Sequence, residues 1–409
     1  MRVLQAHNRH ATHGGADHVM DTDERLLTAA GHAVERFIVP SAEEPSGSAL
    51  SALSMGLAAV VNRHATRELA QHIMRFRPDV LHVHTPFPLM SPAVFWTARR
   101  HGVPTVATLH SFRYSCIAAT LRRDGGICED CVGTRLKTAG IRHRCYHDSV
   151  AASTALTASL VLHRTAGTFR HRIDRFLPLT AFAGDVLVRD GVPAEHITVK
   201  PNCVSDPGPV REYPGRDDVV LFAGRLVEEK GVDTLLRAWA RADTAGTRLV
   251  VAGDGPMSAQ VQDAAQADTS IEFLGWTDQQ RLTELQRRVR ATVVPSQWYE
   301  AGPPLVLLQA LGAGTPVLAS DLDNISATVR EEGAGLTFAT GDADDLAARL
   351  GTLLRDPSQA QACSDAARAL YERDHTEQAS LRALEQVYAD VSAHTSASNR
   401  RTAKRGTPA

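Results

Sequence analysis

Arg225 and Lys230 flank a strand-to-helix crossing in "LFAGRLVEEKGVDTLLRA". A planar guanidinium and a compact ammonium beside a helix start would grip an anion through charge-assisted hydrogen bonds, each worth roughly 1.5–3 kcal/mol. A solvated pair facing Glu228 and Glu229 is the plainer alternative. A second stretch, "WYEAGPPLVLLQALGAGTPVLAS", sets the lone acid Glu300 before two prolines and an apolar run. The spacing predicts a helix starting around Pro304, whose missing N–H suits a first helical turn. The amides of Leu305 and Val306 then point ahead of the helix, and Gln309 shares the face of Leu305. Such a site offers amides for an anion, an amide side chain for hydroxyls and a carboxylate for a sugar or base. A buried helix explains the leucines, but neither Glu300 nor the break at Gly314-Thr315-Pro316. Near the start, Gly14 and Gly15 stand between a first strand and a first helix. There the bare backbone can approach a ligand or simply make a tight turn.

These residues need rigid elements to hold them. Strands are expected at "RVLQAH", "AVERFIV", "DVLHVHT", "PTVATLH", "FLPLT" and "ITVKP", then at "VVLFAG", "RLVVAGDG", "IEFLGW", "RATVVPS", "TPVLAS" and "AGLTFA". Helices alternate with them, the first four predicted at 16–31, 57–75, 91–101 and 181–190. Continuous Val/Ile/Leu runs indicate strands covered on both faces, and the alternation implies an α/β protein of parallel sheets with right-handed crossovers. Ligands of such sheets sit beyond the carboxyl ends of the strands, where the residues above fall.

At 409 residues the chain suits two domains. The seam is expected in the Pro-, Gly- and charge-rich stretch 205–217; one large sheet with a long loop there is the alternative. The domains are then 1–204, carrying a Cys-rich insertion at 112–147, and 218–374, with a final helix at 375–393 and a polar, basic, disordered tail at 394–409. A formal net charge of −2 gives no reason to expect nucleic acid as a partner. No signal peptide is visible, and the most apolar stretch, "VAASTALTASLVL", has 13 residues diluted by Ser and Thr, too short to span a bilayer. A cytoplasmic protein is the default expectation.

Taken together, "GRLVEEKGVDTLL", "VVAGDGP", "IEFLGW", "WYEAGPPLVLLQALGAGTPVLAS" and "HITVKPNCVS" resemble the retaining family 4 glycosyltransferases. The resemblance covers nearly the whole chain and implies the GT-B fold, two Rossmann-like doubly wound parallel-sheet domains facing a cleft. It implies transfer of a sugar from a nucleotide-diphosphate donor to a hydroxyl acceptor, with no metal required for catalysis. By the same resemblance, Arg225 and Lys230, with Gly224 before them, hold the donor diphosphate. Gly14 and Gly15 lie near the phosphates and the transferred sugar. His110, ending "PTVATLH", faces the reacting carbon. The resemblance also gives Glu300 the donor-sugar hydroxyls and Gln309 the ribose, while the amides of Leu305 and Val306 border the phosphates. Domain closure would exclude water. The pattern departs at Gln309, an amide where the family has an acid. The spacing from Glu300 is also nine residues instead of eight, the surplus lying in Gly302-Pro303-Pro304. A catalytically weak relative that binds nucleotide sugar or partners another transferase is therefore the alternative.

Cys116, Cys128, Cys131 and Cys145 contain one Cys-x2-Cys pair, which suits a structural zinc site, while free thiols and disulfides remain alternatives. Cys203 and Cys363 read as packed residues. Asp321 and Asp323 imitate a metal-binding Asp-x-Asp by chance. His7, His10, His13, His82 and His84 lack ligand spacing on one helix and read as surface or core residues. "FRHRIDRF" reads as a solvated amphipathic helix or, for a lipid-borne acceptor, a peripheral membrane contact at the inner face.

Overall fold

The computed structural model describes residues 1–9, 14–40 and 58–405. The chain forms two compact units, Met1–Arg123 with Cys128–Lys200 and Leu381–Ala409, and Asp124–Ile127 with Pro201–Ser380. Each large sheet is parallel throughout, and the two are separate, so the single-sheet alternative does not hold.

In the first unit, strands β1 (Arg2–Asn8), β2 (Ala33–Val39), β3 (Val80–Thr85), β4 (Thr105–Leu109) and β7 (Arg175–Pro178) lie in the order β2-β1-β3-β4-β7; the two-residue strands β5 (Arg122–Arg123), of this unit, and β6 (Gly126–Ile127), of the second, belong to neither large sheet. Every residue of β4 is buried, as a β-branched strand covered on both faces should be. The expected strand "ITVKP" is not a ladder strand. Its Thr198 and Lys200 amides donate to Phe176 O and Pro178 O on the outer edge of β7, and Pro201, lacking an N–H, ends the pairing.

The last helix, Glu377–Arg405, places Leu384, Val387, Tyr388 and Val391 on one stripe against Val3, Val80, Val106 and Leu177. Each such side chain contributes about 1.5–3 kcal/mol on burial. The disordered tail expected from 394 is a correction, because the helix continues to Arg405 and the breakers Gly406 and Pro408 come only afterwards. Residues 406–409 of that tail, His10, His13 and the helix start expected at 57 lie outside the described residues. "FRHRIDRF" is also corrected. Only Thr168–His171 is helical, Phe169 and Phe176 are buried in the core, and Arg172 stacks on Trp96, so neither aromatic ring can meet a membrane.

In the second unit, β8 (Asp217–Ala223), β9 (Arg248–Ala252), β10 (Ile271–Gly275), β11 (Val289–Val294), β12 (Val317–Ser320) and β13 (Gly335–Phe338) lie in the order β10-β9-β8-β11-β12-β13. Counted within the unit this is 3-2-1-4-5-6, the Rossmann order, whose switch point lies between β8 and β11. Cys363 packs in the core between sheet and helices. Among the described residues no helix is long and apolar enough to cross a membrane.

Candidate active site

The switch point of the second unit brings two loops together. After β8 the chain makes one tight turn, Glu228–Lys230, and enters the next helix through Gly231 at φ 70°. A Cβ on Gly231 would stand 1.9 Å from Pro295 O, so only glycine lets the loop after β8 lie on the loop after β11. The Gln297 amide donates to Glu229 O at 2.8 Å and fixes this contact.

Across it, Lys230 Nζ lies 2.6 Å from Glu300 Oε1, both side chains being about one-sixth exposed. Ser296 Oγ donates to the same carboxylate oxygen at 3.0 Å, and Asn324 Nδ2 donates to Glu300 O at 2.7 Å. The acid is thus held from its side chain and its backbone. The solvated pairing of Lys230 with Glu228 and Glu229 is not what forms, and the surplus residue in Gly302-Pro303-Pro304 leaves Glu300 beside the cation. Arg225 is exposed, while the chain beside it is pinned by Gly224 N to Ala252 O and Leu226 N to Asp254 O.

The helix after this loop runs Leu305–Gly312. Pro304, at φ −53° and ψ 141°, sits just outside it as the capping residue, one position earlier than its expected place in the first turn. Its carbonyl accepts from Leu307 and Leu308, so Leu305 and Val306 carry amides that no helical carbonyl can accept. Gln309 is half-buried one turn on. Asp321 pairs with Arg330 at 2.8 Å and Asp323 takes a contact from the Tyr299 hydroxyl, which occupies both acids of the Asp-x-Asp imitation.

In the first unit the corresponding strand ends hold Gly14, Gly15 and His110. Gly14 N donates to Asp17 Oδ2 at 3.0 Å, and Asp17 Oδ1 meets His7 Nε2 at 3.3 Å and Arg9 Nε at 3.5 Å. One buried carboxylate thereby ties the glycine turn to the end of β1. A Cβ on Gly15 would meet open space, so its value there is the bare approach and not crowding.

His84, read from sequence as a surface or core residue, lies against His110. Its Nδ1 is 3.1 Å from His110 Nε2, and the rings stack with centroids 5.3 Å apart. His84 Nε2 is buried without a partner. A buried orphan N–H costs more than a buried lone pair, so the favoured arrangement has Nδ1–H of His84 donating, which leaves the proton of neutral His110 on Nδ1. Burial, reinforced by His7 and Lys200 and opposed by Asp17, pulls His110 down to about 3, so it is neutral at ordinary pH. The only sequence signal for His84 was its place at the end of a buried strand.

Among the described residues, Asp23, His82 and His84 form the one grouping whose ligand atoms all lie within 4.8 Å of one another. It is a poor metal site. His82 already engages Tyr388 Oη at 2.8 Å and Thr108 Oγ1 at 2.7 Å, and Asp23 is paired with the ammonium of Lys200 at 3.3 Å. The four cysteines of the insertion do converge. Burial, together with the neighbouring Cys116, Cys131 and Cys128, pushes the Cys145 thiol up to about 11. No three of their sulfurs gather within 4.8 Å, and all six cysteines are free thiols.

Two family models match the chain, Glycosyl transferases group 1 over residues 210–370 and Glycosyl transferase 4-like domain over residues 14–203. The chain belongs to the family 4 glycosyltransferases. The first match contains Arg225, Lys230, Glu300 and Gln309, and the second contains Gly14, Gly15, His110 and the four clustered cysteines. Among related members, the D-inositol 3-phosphate glycosyltransferase of Frankia alni is 33% identical over 296 residues, 68% of this chain and 66% of that protein. A glycogen synthase of Mycobacterium tuberculosis is 34% identical over 174 residues. That alignment spans 41% of this chain and 42% of the relative, under half of its length. The GT-B fold of this glycosyltransferase is shared with Anabaena HepE, solved in complex with UDP, at a TM-score of 0.63 and 14% identity, covering 95% of this chain and 100% of that one.

Proposed function

We propose that this family 4 glycosyltransferase moves a hexose-type sugar from a nucleotide-diphosphate donor to a hydroxyl acceptor with retention of the anomeric configuration and without a catalytic metal. The observation that carries the reading is the Lys230–Glu300 pair at the switch point of a Rossmann-ordered sheet, beside a helix whose first amides lack intrahelical acceptors.

Cleaving the bond between the anomeric carbon and the diphosphate oxygen leaves an oxocarbenium-like sugar and a diphosphate with additional negative charge. Arg225, Lys230 and the amides of Leu305 and Val306 stabilise that developing charge, the electrostatic contribution that is usually the largest in catalysis. The leaving phosphate oxygen accepts the proton of the acceptor hydroxyl as the new glycosidic bond forms on the same face, so no protein nucleophile is required. Glu300 accepts hydrogen bonds from donor-sugar hydroxyls, and Gln309 both accepts from and donates to the ribose. Neutral His110 offers an N–H to the sugar without placing a second full charge near the cationic centre.

HepE's complex with UDP supports a uridine nucleotide as the first donor to try. A thermal-shift screen of UDP, GDP, ADP and TDP, followed by donor hydrolysis and NMR of the product anomer, tests the reading. Retention, with loss of turnover in Arg225→Ala and Lys230→Ala, is expected. Unchanged turnover and nucleotide affinity in both variants would remove the assignment. The altered acid at Gln309 supports a second reading, a weak or inactive nucleotide-sugar binder. Tight nucleotide binding with no turnover against a broad acceptor panel would favour it.

A further inference from the structure

A cavity of about 360 Å³ lies in the first unit, and none of the residues assigned to sugar transfer lines it. Its walls include Arg170, just ahead of β7, and Gly191 and Val192, which follow the helix Ala181–Arg189. That helix starts at the carboxyl end of β7 and runs back along the sheet, which puts Gly191 and Val192 by the amino ends of the strands. His110 and the Gly14–Gly15 turn stand at the carboxyl ends.

Three guanidinium groups, from Arg135, Arg164 and Arg170, line it against one acid, Asp190. That acid is already engaged, with Arg164 Nη2 at 2.9 Å and the buried Lys137 Nζ at 3.2 Å. Arg135 and Arg170 are exposed and form no ion pair among the described residues. Tyr114 lines the same space, 5% exposed and packed edge-on against Phe169 and Phe176, with its hydroxyl buried and unpartnered. Burial raises its pKa, so the group remains an O–H able to donate. Arg164 Nε is likewise buried without a partner.

Two cations without an ion pair, aromatic and aliphatic walls and an orphan hydroxyl donor around one cavity call for a particular occupant. An isolated buried polar group of this kind costs about 1–3 kcal/mol unless something accepts its hydrogen bond. The volume lies at the small end of the range for ligand sites, roughly 300–1,000 Å³, which excludes a nucleotide sugar. We propose that this cavity is a second ligand site for a small organic anion, with a phosphate or carboxylate head on Arg135 and Arg170. The apolar body packs on the Phe169 and Phe176 side, and an acceptor atom reaches the Tyr114 hydroxyl.

Calorimetry on the full chain, with the transfer site saturated by the nucleotide that the thermal-shift screen selects, tests this. Phenyl phosphate and benzoate distinguish the two head groups; inorganic phosphate and benzyl alcohol supply the head alone and the body alone. One of the first two is expected to saturate one site per chain about tenfold or more tighter than either fragment, because both halves of the site must be filled. The double variant Arg135→Ala/Arg170→Ala should weaken it about tenfold or more, and Tyr114→Phe, which keeps the ring, severalfold, with nucleotide affinity unchanged. Circular dichroism melts confirm that the variants fold. No saturation by either probe up to about 10 mM, a binding free energy near 3 kcal/mol, overturns the proposal. Equal binding by the double variant and the parent does so too, leaving a cavity that holds only solvent.

Discussion

Lys230 Nζ and Glu300 Oε1, 70 residues apart in the chain, meet at 2.6 Å across the switch point of the second sheet. Neither loop alone would hold the pair. It depends on Gly231 resting against Pro295 O and on the Gln297 amide bonding to Glu229 O. An arriving diphosphate would exchange one anionic partner of Lys230 for another, so the cation is preorganised before the donor binds. Lys230→Ala is expected to lower kcat/KM for the donor about 100-fold or more, the usual cost of removing one preorganised charge contact. Glu300→Gln keeps the shape, removes the charge and should affect kcat more than nucleotide affinity. Steady-state kinetics beside calorimetry with the free nucleotide diphosphate separates the two effects. Equal losses in both quantities for Glu300→Gln would place that acid on the nucleotide and not on the sugar.

Gln309 tests the ribose assignment. An amide can accept one ribose hydrogen bond and donate another, whereas a carboxylate accepts two with charge assistance. Gln309→Glu should therefore tighten nucleotide-diphosphate binding by about 1 kcal/mol, roughly fivefold. The 2′-deoxy nucleotide should show little of that gain. Calorimetric titration of both nucleotides measures it, and weaker binding of the ribonucleotide by Gln309→Glu would remove the ribose role.

Most of the scaffold was legible because β-branched apolar runs such as "TVATL" and "VLAS" allow few alternatives when each is followed by a helical pattern. Arg225, Lys230 and Glu300 stood out as candidates for a related reason, since charged residues in the loops that follow such strands have little structural purpose. His84 was not. A histidine inside a buried strand looks like core, and only the register of β3 beside β4 shows that its ring reaches His110. The "ITVKP" segment misled because its apolar residues satisfy strand patterning, while Lys200 turns inward to Asp23 and Pro201 ends the pairing. The contact between Lys230 and Glu300 was equally hidden, because local spacing carries no information about which distant loop a glycine will touch.

His82 and His84 are buried and His110 is partly so, and desolvation lowers the pKa of each; neighbouring Lys200 adds to the effect on all three. An unfolded chain takes up these protons near pH 6.5. The folded chain binds fewer protons below that point, so stability is fully present above pH 6.5 and falls as pH drops toward the folded value, about 3 for His110. Each histidine can contribute a slope of about 1.4 kcal/mol per pH unit in that window. Melting temperature should thus decline between pH 7 and pH 5, and His110→Gln, which cannot titrate, should show a shallower decline. The same slope in variant and parent would mean that His110 is not kept neutral by the fold.

Lys137 offers the sharpest test of how the Cys-rich insertion is held. Its side chain is fully buried, donating from Nζ to Ser115 O and Cys131 O, both at 2.8 Å, and pairing with Asp190 at 3.2 Å. Three chain segments therefore converge on one ammonium. Burial lowers the lysine's pKa while Asp190 opposes it, so the charge persists only because its partners are in place. Lys137→Met fills similar volume but leaves Asp190 with only Arg164 and the Gly133 amide, and it takes a donor from Ser115 O and from Cys131 O, which keeps Thr134 Oγ1; removing one member of a buried pair typically costs about 3–5 kcal/mol. Lys137→Met/Asp190→Asn removes both charges and should lose less than the sum of the two single variants, the sign of a coupled pair. Urea unfolding of the four proteins measures the coupling. Additive losses would show that the two groups act independently, and an unchanged midpoint for Lys137→Met would show that the insertion is anchored elsewhere.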